Sequence, residues 1–167
     1  IERVIPFVED RRNALLYKPA VELDEFVMAT LQAALKEAIQ QTFQLEQNEL
    51  AVSPLPSQLD RNSILIYEAS EGGAGVLRQL VENPNALPTV AKRALELCHM
   101  NPETGVDDPN ADPCAAACYD CLMNYGNQRD HELLDRKIIM STLLQLSKAT
   151  VTPLGQPIAT GNLIQQM

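Results

Sequence analysis

Apolar residues recur at spacings of three and four between residues 22 and 47, which is the period of an amphipathic helix. Acidic side chains occupy the first turn, where the helix dipole favours negative charge. The opposite face is polar, with Gln32, Lys36, Glu37, Gln40 and Gln44. The pattern predicts one long helix that buries the stripe of Leu23, Phe26, Val27, Leu31, Ala34, Leu35, Ala38 and Thr42.

Shorter apolar runs on either side of this helix predict strands. Residues 4–8 and 14–17 flank a polar turn and are interpreted as two short strands. A third strand begins at Leu50 and is ended by the prolines of residues 53–57. The apolar run within residues 63–69 has the length of a strand and no proline, so it predicts a central strand that is buried on both faces.

A glycine-rich turn, residues 71–75, follows the central strand directly. Such turns can cradle phosphate, but this one lacks the Gly-Lys-Ser/Thr ending of a P-loop. Glu68 and Glu71 would also repel an anion, so a tight turn that lets two backbones approach each other is favoured. Further helices are predicted over residues 76–81, from 87 or 88 to about 98, and from an Asp130 cap to about 148.

All four cysteines of the chain lie close together, with the spacing C-x15-C-x3-C-x2-C. Cys114, Cys118 and Cys121 can form a knuckle around one ion, and Cys98 would pin an upstream segment to it. Zn²⁺ favours four thiolates in a tetrahedron, and closed sites of this kind are structural. We therefore predict a structural zinc site with these four cysteines as ligands.

Other uses of the four thiols stay open. Two disulfides would need an oxidising compartment, which nothing in the chain suggests. Cys118 and Cys121 form a C-x-x-C pair, although Asp120 between them works against a low thiol pKa. Buried free cysteines would be unusual in a loop so rich in Asp, Pro and Ala. His99 or His131 could also replace one cysteine, because neutral imidazole binds zinc.

Together these features predict an α+β fold, in which helices pack on one face of a small, mostly antiparallel sheet and a four-cysteine loop binds zinc. We expect one domain over residues 1–148 and a tail or linker over residues 149–167. No run of about 18 apolar residues is present, so no membrane span is expected. The chain shows no signal-peptide pattern either, and a cytoplasmic location is expected.

His131 and Asp135 are i,i+4 neighbours on the last predicted helix. Such a pair could serve acid–base chemistry, or it could buttress the metal site through hydrogen bonds. No nucleophile accompanies it, so a structural network is favoured, and Asn127 is assigned to the same group.

The net charge of −9 is unevenly distributed, since residues 21–83 contribute −7 and residues 84–128 contribute −4. Nucleic-acid affinity rests mainly on the neutralisation of phosphates by Lys and Arg. The chain by itself is therefore predicted to be a poor generic DNA binder.

Four segments are informative when taken in order: residues 67–77, residues 94–98, residues 114–122, and the pattern Asn127-Gln128-x2-His131-x2-Leu134-Asp135-Arg136. This order resembles the C-terminal zinc-binding domain of mitomycin-repair-type DEAD/DEAH-box helicases, which also occurs in helicase-associated proteins of phage defence. Many members carry Gly-Cys-Pro-x-Cys at the knuckle. This chain has Ala117-Cys118-Tyr119-Asp120-Cys121 there, so its knuckle backbone is expected to differ.

The resemblance implies an accessory zinc domain of a superfamily-two helicase or translocase in DNA repair or phage defence. The sequence lacks a Walker A motif and a DEAD/DEAH box, so no enzyme activity is expected of this chain, although its parent protein is expected to be an ATP-dependent helicase. The implied partners are the motor domains, in cis or in trans, and DNA. Contacts with DNA are expected from Arg11, Arg12, Arg129, Arg136 and Lys137. A protein-interaction scaffold without DNA contact is the alternative.

Overall fold

The computed structural model describes residues 9–70 and 73–152. Within these ranges three strands form an antiparallel sheet in the order β1-β3-β2, which confirms the predicted α+β class. The strand predicted over residues 4–8 lies outside the described residues. The elements are β1 (Ala14–Tyr17), α1 (Glu25–Phe43), β2 (Leu50–Ser57), β3 (Asp60–Glu68), α2 (Val76–Glu82), α3 (Ala86–Leu97), a 3-10 segment (Tyr125–Leu133) and α4 (Met140–Leu146).

The long helix α1 buries most of its predicted apolar stripe, and the buried part of its surface is wider than the sequence pattern indicates. Asp24 caps its start by accepting a hydrogen bond from the amide of Val27 at 2.9 Å. Gln32 and Gln40, both predicted on the polar face, are buried, whereas Phe26 is 47% exposed. The reason is that α1 packs against both the sheet and α3, so more than one stripe of the helix is covered.

The central strand is β3, as predicted, and its Ile64 and Ile66 are buried beneath the helices. Leu65 and Tyr67 on the other face are only half-buried, so the prediction of burial on both faces is wrong. The prolines at 54 and 56 lie inside β2 instead of ending it. An edge strand tolerates proline, and the β2–β3 register shifts just before the second one.

Glu68 is the last residue of β3, and its side chain lies at the start of α2. Its buried carboxylate accepts hydrogen bonds from the amides of Gly75 (3.0 Å) and Leu77 (2.9 Å) and from the side chain of Asn13 (3.0 Å). Burial alone would raise the pKa of Glu68, but these hydrogen bonds outweigh it and hold the pKa below its ordinary value. The amides that could cradle a phosphate are therefore bonded to a carboxylate of the chain itself.

The single helix predicted from Asp130 to about residue 148 is wrong. Asn124 and Asn127 cap the 3-10 segment reciprocally, each accepting a hydrogen bond through its side-chain oxygen from a backbone amide. The chain then extends at Leu134, and the amide of Arg136 donates to the carbonyl of Ala116 at 2.8 Å before α4 begins. This long-range hydrogen bond diverts the backbone towards the cysteine loop. None of the helices in the described ranges has the length and hydropathy to cross a bilayer.

Candidate metal centre

Three cysteines and one histidine converge between the end of α3 and the loop that follows it. The ligand atoms of His99, Cys114, Cys118 and Cys121 all lie within 4.8 Å of one another. Cys121 Sγ is 3.4 Å from Cys118 Sγ and 3.9 Å from Cys114 Sγ. A tetrahedral zinc ion with Zn–S bonds of about 2.3 Å separates two sulfur ligands by about 3.8 Å. The cysteines are free thiols, so this cluster fits one zinc ion.

The backbone of residues 118–123 forms the knuckle. The carbonyl of Cys118 accepts hydrogen bonds from the amides of Cys121 (3.2 Å), Leu122 (3.2 Å) and Met123 (3.0 Å). The amide of Cys118 in turn donates to Cys121 Sγ at 3.1 Å, a contact that favours a thiolate at that sulfur. The knuckle thus closes without the Gly and the Pro that many members of the zinc-domain family carry at this point.

His99, and not Cys98, is the fourth member of the cluster. His99 has a left-handed backbone (φ 57°) where α3 ends, a position that Gly or Asn usually occupies. Its Nε2 lies 3.3 Å from Cys118 Sγ. Cys98 is fully buried beside the cluster, and burial raises the pKa of its thiol to about 12. The geometry therefore replaces Cys98 by His99 in the predicted set of zinc ligands. This substitution is one of the alternatives that the sequence left open.

The three thiols of the cluster differ in their pKa. Burial raises the pKa of Cys114 and of Cys121. Burial would also raise the pKa of Cys118, but its hydrogen bonds with His99 and Cys121 outweigh burial and lower this pKa to about 7. Neighbouring thiolates repel one another, and a bound divalent cation removes that repulsion. Three sulfurs and one imidazole form a Cys3His set, which is common for structural zinc.

Arg136 holds the cysteine loop together from the inside. Its buried guanidinium donates from Nε and Nη2 to the carbonyl of Cys114, at 3.0 and 2.7 Å, and from Nη1 to the carbonyl of Cys98, at 3.0 Å. Nη1 also pairs with the carboxylate of Asp107. Arg136 is among the residues expected to contact DNA, but it is buried and its donors point at protein acceptors. The sequence signal for this anchoring role was that Arg136 ends the last of the four segments that resemble the family.

Asn127 and His131 are bonded to each other and to the backbone of the knuckle region, whereas Asp135 does not pair with His131 among the described contacts. His131 Nε2 lies 2.9 Å from Asn127 Oδ1 and 3.1 Å from the carbonyl of Asn124. Asp135 instead accepts a hydrogen bond from the amide of Lys137 at 2.9 Å. The i,i+4 pairing requires an α-helix, and the chain is extended at residue 134.

The other basic residues predicted to contact DNA, namely Arg11, Arg12, Arg129 and Lys137, are all exposed. Arg11 and Arg12 precede β1, and Arg12 pairs with Asp10. Arg129 belongs to the 3-10 segment, and it lines a different cavity from Arg12. These residues therefore do not share one cavity.

A family model described as the MrfA Zn-binding domain matches residues 31–122, more than half of the chain. No curated protein and no solved structure matches. The matched residues include the part of α1 from residue 31 onwards, the elements β2, β3, α2 and α3, and all four members of the metal cluster. The family's metal, the donor set and the sulfur separations agree on zinc. The chain belongs to the MrfA Zn-binding domain family.

Proposed function

We propose that this zinc-binding domain is an accessory module of a superfamily-two DNA helicase or translocase, and that it braces the motor domains in cis or in trans. The observation that carries the proposal is the closed metal cluster in a chain of this family. Four protein ligands complete the tetrahedron of a zinc ion and leave no position for a substrate or an activated water. The zinc therefore serves architecture, and the chemistry is left to the motor.

Zinc binding in such a module is coupled to folding. The ligands come from the end of α3 and from the loop beyond His99, where Cys114 lies 15 residues and Cys121 lies 22 residues further along the chain. This loop has little regular structure of its own. When a site does not exist in the unfolded chain, the free energy of metal binding stabilises the folded state. Thiols that hold a metal also suit a reducing compartment, so we place the complex in the cytoplasm.

The charge of the domain supports a basic partner. Residues 21–83 carry a net charge of −7, and Glu25 at the start of α1 is exposed. Motor domains that track DNA present Lys and Arg to phosphates, and an acidic module complements such a surface. The same acidic surface favours the second candidate, a protein-interaction scaffold in a DNA-repair or phage-defence complex that makes no contact with DNA.

The test is reconstitution with the helicase motor that is encoded in the same gene or beside it. We expect the zinc-loaded chain to copurify with the motor and to raise its DNA-dependent ATPase rate. The Cys118→Ser variant is expected to do neither, because its metal site is incomplete. Copurification without any change in ATPase rate would favour the scaffold, and a failure to copurify would contradict both functions.

A further inference from the structure

A groove of about 520 Å³ lies between α1, β2 and the 3-10 segment. Its volume falls in the range of small-ligand sites. None of the four members of the metal cluster lines it, so it is separate from the zinc site. The groove is open to solvent along one side and is formed by elements from both ends of the described chain.

The groove is locally positive in an acidic protein. Lys36 and Arg129 line it, and neither takes part in the ion pairs formed within the described residues. The acidic side chain on its wall, Asp130, is paired at 2.6 Å with Arg61, whose side chain is 2% exposed. Because that carboxylate is already neutralised, the two cations on the groove are available to an anionic ligand.

Side-chain amides make up much of the remaining wall. Gln32 is a buried member of this set, and its Oε1 has no hydrogen-bond partner among the described residues. A buried acceptor without a donor costs free energy, so a ligand that donated a hydrogen bond to Gln32 Oε1 would remove that cost. Amides supply both donors and acceptors, which is the combination that reads the edge of a nucleobase. The amide residues that line the groove and are not used by the cap of the 3-10 segment are Gln32, Gln47, Asn48, Gln58 and Gln128.

Tyr125 provides an aromatic surface beside the groove. It is 87% exposed, although aromatic residues make up only 4% of the chain. Its backbone is held by the reciprocal cap of Asn124 and Asn127 on either side of it. An exposed ring next to cations and amides is the arrangement on which the bases of single-stranded nucleic acid stack.

We infer that this groove binds one or two nucleotides of a single-stranded nucleic acid. A base stacks on Tyr125, its edge meets the amides, and the adjoining phosphates are neutralised by Lys36 and Arg129. The inference rests on the proposed function, and it adds a location for the DNA contact that the family resemblance implies. An acidic peptide would use the two cations but leave the ring and the amides without a role, so nucleic acid fits the groove better.

The test is fluorescence anisotropy of a labelled ten-nucleotide oligothymidine, titrated with the zinc-loaded chain at low salt. Tyr125→Ala is expected to weaken binding by about tenfold, the effect of losing one stacked base. The double variant Lys36→Glu, Arg129→Glu is expected to abolish binding. Lys18→Glu and Lys148→Glu are the matched controls, since both residues are exposed and lie outside the groove, and both variants should bind like the wild type.

Zinc content and melting temperature are measured for every variant, so that a loss of binding can be separated from a loss of fold. Wild-type chain that does not bind the oligonucleotide overturns the inference. So do groove variants that bind normally, and controls that lose as much affinity as the groove variants. Equal competition by polyglutamate shows recognition of charge alone and overturns it as well. None of these outcomes affects copurification with the motor, which tests the proposed function separately.

Discussion

His99 is the residue at which the chemistry of the metal site is decided. A neutral imidazole in place of a fourth thiolate leaves the zinc complex with a single negative charge, two positive charges against three negative ones. The left-handed backbone at His99 is uncommon for a residue other than Gly, Asn or Asp. Strained positions of this kind concentrate at functional sites. Cys98 next to it remains a buried thiol, held in place through its carbonyl by Arg136.

Replacement of His99 by Ala is therefore expected to leave the purified protein with less than one equivalent of zinc, because three sulfurs do not complete the tetrahedron. Cys98→Ala is the matched variant and is expected to keep its full zinc content, with a loss of about 1 kcal/mol from packing. Metal analysis after gel filtration measures both. The opposite pattern would identify Cys98 as the ligand.

At the scale of elements, the ends of helices and strands determine the site more than their middles do. Glu68 joins β3 to α2 through backbone amides, and Arg136 joins the end of α3 to the segment that leads into α4. Both are charged side chains that are almost fully buried and bonded to the backbone. Hydrogen bonds to charged groups are stronger than neutral ones, so each of these two residues can fix the relative position of two elements.

Substitution of Arg136 by Met is expected to destabilise the domain by about 3 kcal/mol or more, because buried carbonyls lose their donors. Zinc affinity should fall with it, since the loop around Cys114 is no longer anchored. Thermal unfolding of the zinc-loaded protein measures the effect. The control Arg129→Met removes an exposed arginine and should change the stability by less than about 0.5 kcal/mol. Equal melting temperatures for the two variants would contradict the anchoring role.

The Glu68→Gln variant is expected to lose about 2 kcal/mol at pH 7, since an amide is a weaker acceptor than a carboxylate for the same donors. The folded-state pKa of Glu68 lies below its ordinary value, so the ionised carboxylate stabilises the fold above the ordinary pKa of glutamate. That contribution disappears as the pH falls through the folded-state pKa.

The difference in the free energy of unfolding between wild type and Glu68→Gln should thus be constant from about pH 8 to pH 5 and shrink on further acidification. Denaturant titrations of both proteins in excess zinc measure it, with the exposed Glu22→Gln as a control. A difference that grows at low pH would contradict the assigned role.

Much of this architecture could be predicted from local patterns. The central strand, α1 and α3 have clear hydrophobic periodicity, and the cysteine spacing indicates the zinc loop. The errors arose where a distant contact decides the local structure. The prolines of β2 are tolerated because it is an edge strand, and the last helix is divided because Arg136 bonds to Ala116. His99 was considered only as a substitute, since its backbone φ cannot be inferred from cysteine spacing.

For the whole molecule, the core and the metal centre stabilise different regions. Most of the buried core comes from α1, β3, α2, α3 and α4, and it reaches the metal centre only at residues such as Cys114, Cys121 and Leu122. The segment from residue 101 to residue 124 has no helix and is held by the knuckle, Arg136 and the proposed zinc ligands. Loss of the metal is therefore expected to affect one part of the domain before the rest.

Removal of zinc with a strong chelator should accordingly abolish the hydrogen-exchange protection of the Cys121–Met123 amides in the knuckle, whereas α1 and β3 keep theirs. The reason is that the core elements bury their own apolar surface, while the loop depends on its ligands. Exchange measured by mass spectrometry before and after chelation, with zinc added back as a control, tests this. Uniform loss of protection throughout the chain would show that the domain folds only with its metal.

Thr30, one residue before the matched region, bonds through its hydroxyl to the carbonyl of Leu133 (3.2 Å) and the amide of Asp135 (3.2 Å). Leu122, the last matched residue, is followed by Asn127, His131 and Arg136, which brace the knuckle. A protein trimmed to the family boundaries would retain every zinc ligand and lose the groups that orient them. Expression boundaries chosen for this family should therefore extend beyond α4, since the region of recognisable sequence is shorter than the folded domain.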